Sequence, residues 1–137
     1  RLVGGNLVLL AATLSTPWQV DARGAILVFE EVGEATYRID RLLTQLRLAG
    51  VFAGVGGIAV GSLSECADED DPRMPSLREV LDDRLGDIGV PVAWGFPFGH
   101  QPDNWTLPLG VRARFDASAG QLELLEAAVT MRSYDSP

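Results

Sequence analysis

Apolar positions in this chain come in short runs broken by glycine, proline and acids. Residues 25–29 read AILVF with no polar interruption, the pattern of a strand covered on both faces. Residues 55–63, VGGIAVGSL, predict a second buried strand, and residues 90–94, VPVAW, a third apolar run. The run 7–12, LVLLAA, is apolar throughout, and periodicity leaves it open between strand and short helix. Gly4-Gly5-Asn6 before it reads as a tight turn, and Ser15-Thr16-Pro17 and Asp21-Ala22-Arg23-Gly24 supply further turns.

Helical spacing appears twice. Over residues 37–49, Tyr37, Leu42, Leu43, Leu46 and Ala49 share a stripe, with Arg38, Arg41, Gln45 and Arg47 mostly off it and Gly50 as the C′ residue. Ser76-Leu77-Arg78-Glu79 after Pro75 reads as a capping box. It opens a helix with Leu77, Val80, Leu81 and Leu85 inward, ending near Gly86. Residues 111–116 and part of 121–126 alternate apolar and polar around Ala119-Gly120, which predicts a β-hairpin at the surface of a sheet. Residues from Thr130 read as a fraying tail. The expected fold is α/β: one domain over residues 1–137, short parallel strands with two helices, and a C-terminal hairpin giving a mixed sheet.

Composition narrows the function classes. The 137 residues suffice for a core, and no apolar run approaches the roughly 20 residues of a membrane span. A net charge of −8 argues against nucleic acid and against an anionic membrane surface as partners. All 11 basic residues are Arg, so no lysine chemistry is available. One Cys and one His provide neither a disulfide nor a conventional zinc site, and no metal or cofactor is expected. The chain opens on Arg1 with no signal-type segment, as if cut from something longer.

Candidate chemistry centres on residues 90–110, VPVAWGFPFGHQPDNWTLPLG, in which a strand feeds a Pro/Gly-dense loop holding His100. Gly95 and Gly99 give that loop the backbone freedom to aim an imidazole. The strand 25–29 ends in Glu30-Glu31, and an acid at the tip of a buried strand can be catalytic or can simply return the chain to water. Glu30 and His100 would be two members of an acyl-transfer triad. The nucleophile is missing: no G-x-S-x-G elbow occurs, and Ser62 and Ser64 do not sit on a strand-turn-helix bend. Cys66 lies within an acidic loop over residues 65–71, where it is expected exposed or half-exposed and without a partner. That loop lacks the spacing of a calcium site. Residues 54–59 fit G-x-G-x-x-A formally, but precede a strand instead of joining strand to helix. Asn104-Trp105-Thr106 is a glycosylation sequon, meaningful only with secretion.

The blocks GGNL at residues 4–7, GAILVFEEVGEATYRIDRLLTQLRLAG at 24–50, GIAVGSLSEC at 57–66 and PVAWGFPFGHQPDNWTLPLG at 91–110 carry a resemblance. Together, in this order, they resemble the C-terminal domain of the LD-carboxypeptidases, the muramoyltetrapeptide carboxypeptidases of bacterial murein recycling. The resemblance implies a swivelling β/β/α domain that supplies the triad's glutamate and histidine, matching Glu30 and His100. It makes Glu31 a structural neighbour and puts the nucleophilic serine on an N-terminal domain outside this chain. It further implies a cytoplasmic serine peptidase, often homodimeric, that removes terminal D-alanine from murein tetrapeptides without a metal. A relative acting on peptidyl-nucleotide antibiotics, with Trp94 or Trp105 as a stacking surface, is an alternative. A non-catalytic binding or assembly domain is another.

Overall fold

The computed structural model describes residues 1–66 and 75–129, which leaves outside it most of the acidic loop and the expected tail from Thr130. The elements run β1 (Leu2–Asn6), α1 (Leu7–Ala12), β2 (Ile26–Val32), α2 (Thr36–Leu48), β3 (Gly57–Ser64), α3 (Leu77–Leu85), β4 (Val92–Trp94), β5 (Ala113–Asp116) and β6 (Gln121–Leu124). The first four strands form one parallel sheet in the order β1-β2-β3-β4, and β5 and β6 form a separate antiparallel hairpin. The fold is therefore α/β as expected, with the antiparallel part packed on the parallel sheet and not hydrogen-bonded into it.

The ambiguous run at residues 7–12 is a helix. Asn6 caps it, its side chain accepting from the Leu9 N–H at 3.2 Å. The Gly4-Gly5-Asn6 segment is not a turn but the second half of β1, in register with Val28 to Glu30. Gly4 is obligatory there: a β-carbon would lie 1.8 Å from the Val28 carbonyl oxygen. In α2 the buried stripe is Thr36, Ile39, Leu42, Leu43 and Leu46, while Tyr37, expected inward, is exposed. Gly50 takes the left-handed conformation after the helix, with φ 74°. Ser76 and Glu79 form the full capping box of α3, which buries Val80, Leu81 and Leu85.

Alternation along β2 builds two cores. Leu27 and Phe29 face the helices with Ile58, Val60, Ile39, Leu43 and Leu81. Ile26 and Val28 face the other way, with Ala59, Phe96 and Phe98, and Phe115 and Leu122 of the hairpin close this layer. Gly57 makes room for the hairpin, since a β-carbon there would lie 2.7 Å from the Phe115 ring. β4 is a short edge strand, half-buried at Val92 and Ala93 and exposed at Trp94, not a buried run. Cys66 also differs from expectation. It is 1% exposed inside the helical-side core, its thiol donating to the Ser64 carbonyl at 3.3 Å.

Candidate active site

Adjacent strand residues point to opposite faces, so Glu30 and Glu31 cannot share an environment. Glu31 follows Leu27 and Phe29 toward the helices and is 3% exposed. Its carboxylate accepts from the Asn6 side-chain amide at 2.8 Å, the Val8 N–H at 2.8 Å and the Val32 N–H at 3.0 Å. Those donors tie β2 to the start of α1. Glu30 follows Ile26 and Val28 toward the hairpin side, where the loop after β4 crosses the sheet.

That loop delivers His100. Gly95 (φ 85°) and Gly99 (φ 105°) both take left-handed conformations. A β-carbon at Gly99 would lie 2.5 Å from Ser62 Oγ and 2.8 Å from Glu30 Oε2, so the loop lies flat on Glu30 only because residue 99 has no side chain. The Asn104 side chain accepts from the Gly99 N–H at 3.0 Å, and Ser64 Oγ donates to the His100 carbonyl at 2.5 Å. The Phe98 carbonyl accepts from the Ser62 N–H at 2.8 Å.

Seventy residues apart in sequence, Glu30 Oε2 and His100 Nδ1 meet at 2.7 Å. The Glu30 side chain is 13% exposed and that of His100 58%. A carboxylate accepting the Nδ1 proton leaves the lone pair on Nε2, and Nε2 has no partner among the described residues. The imidazole borders a cleft of about 370 Å³ whose lining includes Gly5, Val28, Asn104, Trp105, Leu107 and Leu109. The arrangement can hold a base in one tautomer, stabilise it when protonated, and offer it to a group entering the cleft.

Ser62 and Ser64 hold the loop that carries this base, through the Ser62 N–H to the Phe98 carbonyl and the Ser64 hydroxyl to the His100 carbonyl. Trp105 is two-thirds exposed at the rim of the cleft, and Trp94 lies away from it, under the Arg78 guanidinium at 4.1 Å, so neither is a core residue. Asn104 was visible in the sequence only as a sequon, since nothing local shows that its amide closes the loop. Among the described residues no cluster of three or more His, Cys, Asp or Glu side chains gathers.

A family model described as the LD-carboxypeptidase C-terminal domain matches residues 1–115. A Synechocystis protein named as a carboxypeptidase is 48% identical over 127 residues, 91% of this chain, and the chain spans 42% of that relative's length. A solved muramoyltetrapeptide carboxypeptidase from Oxalobacter formigenes superposes with a TM-score of 0.81 at 36% identity, covering 90% of this chain and 44% of that one. The microcin C7 self-immunity protein of Escherichia coli is 33% identical over 129 residues, 92% of this chain and 36% of its own. A structure of that protein in complex with glutamyl sulfamoyl guanosine has a TM-score of 0.81.

Proposed function

This chain belongs to the LD-carboxypeptidase family, and from that premise we propose that it is the half of a serine peptidase that carries the base and the acid orienting it. The observation that carries the reading is the 2.7 Å contact between Glu30 and His100, with the second ring nitrogen open to a cleft. In this reading the nucleophilic serine and the oxyanion donors come from outside these 137 residues, which span 42% of the Synechocystis relative's length.

In this reading His100 Nε2 takes the proton from the serine hydroxyl as the oxygen attacks the amide before terminal D-alanine in a murein tetrapeptide. Glu30 holds Nδ1–H and stabilises the imidazolium. The same Nε2–H then protonates the departing D-alanine nitrogen as the C–N bond breaks, leaving an acyl-serine. Water, deprotonated by His100, releases the tripeptide. The substrate would be a recycled murein fragment in the cytoplasm.

D-alanine release from a murein tetrapeptide by the full-length parent tests this. His100→Ala should lower kcat by at least 10³-fold and Glu30→Ala by a smaller but large factor, on the order of 10² or more. Activity indifferent to His100→Ala would sink the reading.

The exposed Trp105 at the cleft rim supports a second reading, a peptidyl-nucleotide hydrolase of the kind the self-immunity relative represents. An indole there offers a face to a purine. A panel of murein peptides and aminoacyl sulfamoyl nucleosides decides between the two by relative kcat/KM.

A further inference from the structure

β3 carries one more residue than β2 across from the site. Phe29 pairs with Val60 and Glu31 with Leu63, so Gly61 and Ser62 together oppose Glu30. The extra residue reverses the alternation of everything after it. Leu63 turns to the helical core, and Ser62 turns to the side of Glu30 and His100. Unbroken alternation from Val60 would have done the opposite, placing Ser62 in the helical core and Leu63 against the acid.

The Ser62 hydroxyl brought there is buried and hydrogen-bonded to nothing among the described residues. Glu30 uses Oε2 for His100, and its other oxygen, Oε1, accepts no bond from the described chain. Ser62 Oγ and Glu30 Oε2 border one spot, the position a Gly99 β-carbon would take, at 2.5 and 2.8 Å from it. An unpaired buried hydroxyl thus stands near a carboxylate with unused acceptor capacity.

We infer that Ser62 is a positioning residue for the Glu30–His100 pair: its hydroxyl is the donor that holds the Glu30 carboxylate while the carboxylate holds the imidazole. The inference rests on the hydrolase reading of Glu30 and His100. A hydroxyl donated to the carboxylate fixes its rotamer and takes up part of its charge. Glu30 then steers the ring without binding the imidazolium so tightly that His100 stops acting as a base at neutral pH.

The other ionisable groups nearby are few. Glu30 and His100 are those lining the cleft, Glu31 faces the opposite side of the sheet, and exposed Asp103 and Glu65 lie on the His100 loop and at the end of β3.

His100 is the only histidine in the chain, so its ring protons can be followed through a pH titration by NMR without ambiguity. Dispersed amide spectra of each variant confirm the fold. In Ser62→Ala the carboxylate loses its donor and grips the imidazolium harder, so the His100 midpoint should rise by about half a pH unit. In Glu30→Gln the midpoint should fall. An unchanged or lowered midpoint in folded Ser62→Ala, with the expected fall in Glu30→Gln, overturns the Ser62 inference and leaves the hydrolase reading standing. An unchanged midpoint in Glu30→Gln removes the pairing and both readings with it.

Discussion

Two neighbouring acids in this chain do unlike work, and strand parity separates them. Glu31 is a buried anchor whose carboxylate accepts three N–H bonds, two of them from the cap and first turn of α1. Glu30 is partly exposed and meets one imidazole. Glu31→Ala strands those donors and should destabilise the fold by about 3 kcal/mol. Glu30→Ala should stay within about 1 kcal/mol, the range of a partly exposed pair. Urea denaturation of both variants checks this, and equal losses would contradict the division. The parity was legible in the sequence, because Glu30 shares it with Ile26 and Val28 and Glu31 with Leu27 and Phe29. Which parity faces a cleft was not legible, because both sets are equally apolar.

At the scale of elements, apolar periodicity identified β2, α2, β3 and α3, and turn chemistry identified the hairpin. It failed for β1, whose Gly4-Gly5 reads as a turn until the Val28 carbonyl is seen lying where a side chain would go. It failed again at Cys66. Acidic neighbours in sequence suggested exposure, yet the end of β3 turns the thiol into the core under α2, where the Thr36 hydroxyl donates to the Cys66 carbonyl at 3.1 Å. Burial pushes the Cys66 thiol up from its ordinary value, with the Glu31 and Glu34 charges adding to the shift. An unfolded thiol ionises near pH 8.5, and the folded one above that. Stability from this group is therefore complete below about pH 8.5 and declines as the pH climbs toward the folded value. Iodoacetamide should alkylate Cys66 slowly in the native protein and rapidly in denaturant at pH 8. Fast native alkylation would place the thiol at the surface instead.

At the scale of the whole molecule, three parallel crossovers put helices on one face of the sheet and leave the other to a loop and a hairpin. The cleft forms on that second face, where the strand β2 and the loop after β4 converge. The chain spans 42% of the Synechocystis relative's length, and the proposed nucleophile belongs to the remainder. The 137-residue chain alone should release no D-alanine from a murein tetrapeptide, and a full-length parent should, in the same assay. Release by the short chain would mean that a nucleophile lies within it.

The sequence by itself determined the parallel order of elements, the two helices and the hairpin, and its resemblance to the family pointed to Glu30 and His100. The elements follow from local rules, period and turn residues, whereas the choice of Glu30 over Glu31 came from the resemblance. Only the tertiary structure decided that residues 30 and 100 meet, that Glu31 faces away, that Ser62 stands by Glu30 and that residue 99 must be glycine. The place of Ser62 depends on a single extra residue in β3, and the meeting of residues 30 and 100 and the need for glycine at 99 depend on how closely the loop seats on Glu30; such register and contact have no periodic trace in the chain that makes them.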